Sequence, residues 1–198
     1  DAIHFRSPDG MEIEGFLVRP LDYVAGRRYP TILRLHGGPV YQFSHEFMPE
    51  WQAFAAAGFA VVAVNPRGSS GRGFEFAKAI YADWGNKDVQ DVLAAVDHVV
   101  AAGIADPARL GVGGRSYGGI LTNYVIASDA RFKAAVSGAG ASNWAALYGH
   151  DMYSREYELE LGTPWVQREL WDRLSYPFMH ADRIRTPNVP GTAGERAA

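Results

Sequence analysis

The chain has no cysteine among its 198 residues, which excludes disulfides, thiolate metal sites and a cysteine nucleophile. Long hydrophobic runs are also missing. The longest apolar stretch, Phe59 to Val64, falls far short of the roughly 20 residues that span a bilayer, so no membrane partner is expected. The formal net charge is -3, with Lys and Arg scattered along the chain, and the lack of a basic stripe speaks against nucleic acid. The six histidines (His4, His36, His45, His98, His150, His180) include no i, i+4 pair around a carboxylate, so neither a metal nor another cofactor is expected. No leader pattern is present, and together with the absent cysteine this gives the expectation of a cytoplasmic protein. The first residue is Asp1 and not methionine, which leaves an upstream leader or domain open. Oligomeric state has no signal in the sequence. What is present, 47% hydrophobic and 21% charged residues, is ordinary for one globular domain with a sizeable core.

Periodicity supplies the frame. Ile3-His4-Phe5 and Met11 to Val18, joined by Pro8-Asp9-Gly10, read as a hairpin. Pro30 to Leu35 is the next strand. Phe47, Trp51, Phe54 and Ala55 fall on one face of a helix ending at Gly58, and the apolar run from Phe59 follows as a central strand. From Lys87 to Ala102, Val89, Val92, Leu93, Val96, Val99 and Val100 keep helical spacing, with Asp88, Asp91 and Asp97 expected to face away. A strand over 110–113, a helix over 118–128 and a strand from Phe132 to Ser137 complete an α/β alternation. This series implies a mostly parallel sheet with helices on both faces.

Between the 110–113 strand and the helix after it lies Gly114-Arg115-Ser116-Tyr117-Gly118. In that setting the motif reads as a nucleophile elbow, a tight turn that lifts a serine hydroxyl above the end of a sheet. Side chains at positions 114 and 118 would collide with the neighbouring strand and helix, so glycine is expected at both. The bland alternative is a glycine-rich connection that happens to hold a serine. Acyl transfer at Ser116 would pass through an oxyanion, which a pair of backbone amides stabilises. One donor is expected at Tyr117. The other is expected in His36-Gly37-Gly38-Pro39 after the Leu35 strand, at Gly38 with Gly37 as the fallback, against the reading of a plain turn. His36 precedes the serine, whereas this architecture orders its triad Ser, acid, His, so His36 is expected to orient the loop. Asn65 to Gly73 lacks the spacing of a phosphate loop and is expected to be an ordinary surface loop, anchored by Arg67.

Several of these segments, His36-Gly37-Gly38-Pro39, Val64-Asn65-Pro66-Arg67-Gly68, Asp83-Trp84-Gly85 with Asp88 and Asp91, Gly114 to Gly119, and Leu161-Gly162-Thr163-Pro164-Trp165 through Arg183 to Pro187, stand in one order. Together they resemble the catalytic domain of the prolyl oligopeptidase family of serine peptidases, in particular its acylaminoacyl peptidase and dipeptidyl aminopeptidase-like branch. The resemblance implies an α/β-hydrolase fold, Ser116 as nucleophile, and peptides or acyl-peptides as substrates, hydrolysed through an acyl-enzyme. In that family a β-propeller usually precedes the catalytic domain. None is present here, so Asp1 is expected to be a cut point within a longer polypeptide.

After Thr186-Pro187 the family pattern calls for a buried strand, an acid, a further strand and the histidine that activates serine. Asn188 to Ala198 has no apolar run. The expectation is therefore an incomplete hydrolase domain over 1–187, with its C-terminal strands missing, and a disordered tail over 188–198. With the triad Asp and His absent, turnover by this chain is expected to be impaired. His180 and His150 follow Ser116, but the order alone is weak support for either as a base. The aromatic-rich segment holding Trp144, Tyr148, Tyr153, Tyr157 and Trp165 either covers the site and lines a substrate pocket or forms aromatic core. A carboxylesterase on the same frame and a noncatalytic domain that keeps the fold stand as the alternatives.

Overall fold

A computed structural model describes residues 1–191. Its elements in chain order are β1 (Ala2–Arg6), β2 (Glu12–Val18), β3 (Tyr29–Leu35), α1 (Pro49–Ala56), β4 (Ala60–Asn65), α2 (Phe74–Lys78), α3 (Lys87–Ala101), β5 (Ala105–Arg115), α4 (Tyr117–Ser128), β6 (Ala134–Gly138), α5 (Trp144–Tyr148), α6 (Ser154–Leu161), α7 (Arg168–Leu174), α8 (Tyr176–Met179) and β7 (Asn188–Gly191). They build a seven-stranded sheet in the order β1-β2-β4-β3-β5-β6-β7. The β1–β2 and β2–β4 pairs are antiparallel, and all the others are parallel.

Side-chain alternation explains how the layers form. In β4, Val62 and Val64 pack with α3 and α4 on one face, while Val61 and Ala63 pack with Trp51 of α1 on the other. All six β4 residues are buried, as a strand covered on both faces requires. β3 buries only Tyr29, Thr31, Leu33 and Leu35. Its other face, with the matching faces of β5 and β6, borders an open groove of about 750 Å³. The chain thus leaves β3 through α1 on one side of the sheet and leaves β5 through α4 on the opposite side.

Four expectations need correction. Phe47 is not on the face of α1: the helix begins at Pro49, which suits the first helical turn because its missing N–H costs no hydrogen bond there, and Phe47 stands exposed. Asp88 and Asp91 do not face away from α3 but are completely buried, because each carboxylate has donors waiting inside. The loop after β4 is a surface loop only in its second half. Asn65, Arg67 and Ser69 are buried, held by hydrogen bonds to neighbouring loops and to α3. Finally, the chain does not fray at Asn188. β7 pairs in parallel with β6 from Ala135↔Asn188 to Gly138↔Gly191, and Thr186 Oγ1, buried, donates to the Phe132 carbonyl at 3.0 Å. Backbone ladders need no apolar side chains, which is why composition missed this strand. The remainder of the expected tail, 192–198, lies outside the described residues. Among the described residues no helix is long and apolar enough to cross a membrane.

Candidate functional site

The β5–α4 junction sets Ser116 at φ 60°, ψ -125°, a conformation that a non-glycine residue adopts only under strain. Three backbone hydrogen bonds impose it: Ser116 N–H donates to Gly138 O at 2.8 Å, and its own carbonyl accepts from Gly119 at 2.8 Å and Ile120 at 3.0 Å. The two flanking glycines are required by space. A Cβ on Gly114 would lie 2.6 Å from Leu35 O, and one on Gly118 would lie 2.4 Å from the same oxygen. The hydroxyl is left on the exposed side of the turn, and no described residue hydrogen-bonds to it.

Tyr117 is the first residue of α4, so its amide has no carbonyl of the preceding turn to bond. The Gly38 amide, in the loop after β3, is likewise without a protein acceptor among the described residues. Ser116, Tyr117 and Gly38 border one cavity of about 440 Å³. The fallback Gly37 is also near, since a Cβ there would come 3.7 Å from Ser116 Cβ. The structure therefore brings the three residues singled out from sequence to one place.

Around them, the loops are splinted from behind. His36 Nδ1 lies 2.7 Å from Gly37 O and Nε2 lies 2.8 Å from Ser69 Oγ. Burial pushes its pKa down, and both ring nitrogens lie within hydrogen-bond distance of the loops they orient. Arg67 donates to Asp91 from its backbone N–H at 2.8 Å, from Nε at 2.9 Å and from Nη2 at 2.6 Å. Tyr117 Oη donates to Asp88 Oδ2 at 2.7 Å. Burial pushes the Asp88 carboxyl up to about 6, against the downward pull of hydrogen bonds from Gly85 N–H, Tyr117 and Val89 N–H.

Beyond Ser116 the cavity wall mixes aromatic side chains, Trp84, Tyr153 and Tyr157, with the acids Asp151, Glu156 and Glu160. Trp84 packs edge-on against Tyr117 at 5.2 Å and against Trp144 at 4.9 Å. Both readings of the aromatic segment hold in part, because Trp144 and Trp171 form a small core with Leu161 and Leu174, with Tyr148 packed on it, while Tyr153 and Tyr157 line the cavity. None of the six histidines lines this cavity. His150 is exposed, and His180 packs on Tyr176 at 4.4 Å. Sequence reasoning missed Asp88 and Asp91 as site residues. The signal was there: 88, 91, 92, 95, 96 and 99 form the buried stripe of α3, and two acids on an apolar stripe demand partners.

Comparison with known proteins accords with this arrangement. The sequence profile of the prolyl oligopeptidase family matches residues 45–190. An uncharacterised peptidase of Bacillus subtilis is 40% identical over 191 residues, covering 94% of this chain and 29% of that protein. The acylamino-acid-releasing enzyme of Arabidopsis thaliana is 36% identical over 174 residues, covering 83% of this chain and 23% of its own length. Among solved structures, an acylaminoacyl peptidase of Pyrococcus horikoshii superposes with a TM-score of 0.88 at 30% identity, over 97% of this chain and 31% of that one. A puromycin-hydrolysing peptidase of Mycobacterium tuberculosis gives a TM-score of 0.88 at 32% identity, over 97% and 30%. The chain spans less than a third of the length of these relatives.

Proposed function

Because the chain belongs to the prolyl oligopeptidase family and has the α/β-hydrolase fold, we propose that it supplies the nucleophile and oxyanion site of a serine peptidase acting on peptide or acyl-peptide bonds. The observation that carries this reading is Ser116 at a positive φ beside two unpartnered amides, Tyr117 and Gly38, in one cavity. Ser116 Oγ attacks the scissile carbonyl, and the two N–H groups take the negative charge that develops on its oxygen. Collapse of the tetrahedral species expels the amine and leaves an acyl-enzyme, which water hydrolyses. Relatives named for releasing acylated amino acids and for hydrolysing puromycin support an amide or acylated substrate.

A base must take the Oγ proton and return it to the leaving amine. No histidine of this chain borders the cavity, so we further propose that turnover by the 198 residues alone is slow. The test compares this chain with the product of its complete reading frame, using an aminoacyl anilide, the matching ester and a fluorophosphonate that labels activated serines, each with a Ser116→Ala control. Ser116-dependent anilide hydrolysis by the complete product, with little by the 198 residues, is the expected result. Hydrolysis of the ester alone would make it a carboxylesterase. A complete product that neither turns over nor labels would make it a noncatalytic domain, and strong turnover by the 198 residues would overturn the argument from the absent base.

A further inference from the structure

Two buried aspartates sit three residues apart on the inner face of α3, and each ends a chain of hydrogen bonds that leads to a different amide at the Ser116 cavity. The first chain is direct. Asp88 Oδ2 accepts from Tyr117 Oη at 2.7 Å and from Gly85 N–H at 3.1 Å, while Oδ1 accepts from Val89 N–H at 2.9 Å. One carboxyl therefore joins the elbow, the start of α3 and the loop carrying Trp84, which walls the cavity. Tyr117 is fixed at both ends, its amide facing the cavity and its hydroxyl anchored below.

The second chain runs through the loop after β4. Asp91 holds Arg67 by three hydrogen bonds, and this loop turns back on itself with Ser69 Oγ 2.6 Å from Pro66 O. Ser69 Oγ also lies 2.8 Å from His36 Nε2. His36 in turn binds the Gly37 carbonyl through Nδ1 at 2.7 Å, and that carbonyl belongs to the peptide unit whose nitrogen is Gly38 N. Asn65 adds a brace, exchanging bonds of 2.8 and 2.9 Å with the Phe43 backbone. Every side chain in this path is buried: Asp91 is 0% exposed, Ser69 1%, Arg67 3% and His36 5%.

Taking the reading of Tyr117 and Gly38 as oxyanion donors as given, we infer that Asp88 and Asp91 are positioning residues, each setting one of the two amides from the common platform of α3. Neither aspartate touches the substrate. An oxyanion donor works only when it is already aimed at the oxygen before charge develops, since reorganisation then costs nothing during reaction. A rigid helix bearing both anchors fixes the separation of the donors more tightly than two independent loops could.

Tyr117→Phe cuts the first chain while leaving Asp88 the Gly85 and Val89 amides, and Ser69→Ala cuts the second while leaving the Arg67–Asp91 pair in place. The protein from the complete reading frame is assayed with an aminoacyl anilide, with a peptidyl boronic acid that forms a tetrahedral adduct on Ser116, and with the matching peptide product. Each variant is expected to lose about tenfold to a hundredfold in kcat and in boronate affinity, because misplacing a donor by a fraction of an ångström weakens only the tetrahedral state. KM and product affinity should stay within about twofold. Unchanged kcat and boronate affinity in both variants would overturn the inference while leaving the hydrolase reading intact. An equal loss of product and boronate affinity would also overturn it, as the sign of general damage to the cavity. Failure of the unaltered protein to turn over or bind the boronate would instead strike the underlying reading.

Discussion

Gly118 lies so close under Leu35 that a Cβ on the glycine would be 2.4 Å from the Leu35 carbonyl oxygen and 2.8 Å from that of His36. Both obstacles are backbone in the central strand and its exit, so no side-chain rotation relieves them. Gly118→Ala should destabilise the fold by about 3 kcal/mol, the upper range of overpacking. Gly149→Ala is the control, because the nearest atom to its Cβ would be 3.9 Å away. Urea midpoints of the two variants check this, and equal midpoints would show the elbow to be more pliant than its packing implies.

The strain at Ser116 gives a second outcome. With φ at 60°, Ser116→Ala keeps a Cβ in an unfavourable backbone region, whereas Ser116→Gly does not. Strain of this kind costs about 1–3 kcal/mol, partly offset by the extra freedom of glycine in the unfolded chain. The glycine variant should therefore be more stable than the alanine variant by about 1 kcal/mol in denaturant titrations. The reverse order would mean that the turn is not strained.

Arg67 separates buried from exposed electrostatics in one side chain. Its partner Asp91 is fully buried, while Asp9, its other acidic partner, has a side chain 44% exposed. Arg67→Ala leaves Asp91 uncompensated and should cost about 3–5 kcal/mol. Asp9→Ala should cost about 1 kcal/mol or less, as for an exposed pair. Thermal melts of both variants provide the comparison, and similar shifts would refute the assignment of Asp91 as the anchor.

Asp88 predicts a pH dependence. Burial raises its folded carboxyl to about 6 from the ordinary carboxylate value of 3.8, so the native state holds a proton that the unfolded chain lacks across that interval. The sign follows: the group's contribution to stability is complete below 3.8 and is lost as pH rises through about 6. Asp91 on the same helix raises it further, and the Tyr117 hydroxyl is its hydrogen-bond donor. Relative to Asp88→Asn, the unaltered protein should gain stability as pH falls from about 7 to about 4. A flat difference between their urea midpoints over that range would contradict the burial effect.

How much of this was legible in the sequence depends on the range of each interaction. The hairpin from β1 to β2, the apolar run of β4 and the Gly114-Ser116-Gly118 turn are local patterns, and each appears where periodicity and turn chemistry place it. The Gly37-Gly38 loop could be singled out because it follows a strand, although only the fold brings Gly38 to the same cavity as Ser116. Asp88 and Asp91 were misread because their side-chain donors lie far along the chain: Tyr117 is 29 residues from Asp88 and Arg67 is 24 from Asp91. Helical periodicity assigns an acid to solvent by default and has no knowledge of a distant partner. β7 was missed for a related reason, since the ladder to β6 is a backbone property with no footprint in Asn188-Val189-Pro190-Gly191.

The departure of the chain to opposite sides of the sheet after β3 and after β5 has a consequence for how such a protein can change over time. Where neighbouring connections part in this way they leave a crevice at the carboxyl ends of the strands, whatever side chains the loops carry. The position of the cavity beside Ser116 is thus an inheritance of connectivity, tied to the strand order and not to the loop side chains. The segment that roofs it has its own small core of Trp144, Leu161, Trp171 and Leu174, distinct from the core under β3 and β5. Substitutions within that segment can therefore reshape the cavity wall as a separate module while the Ser116 turn stays where the topology put it.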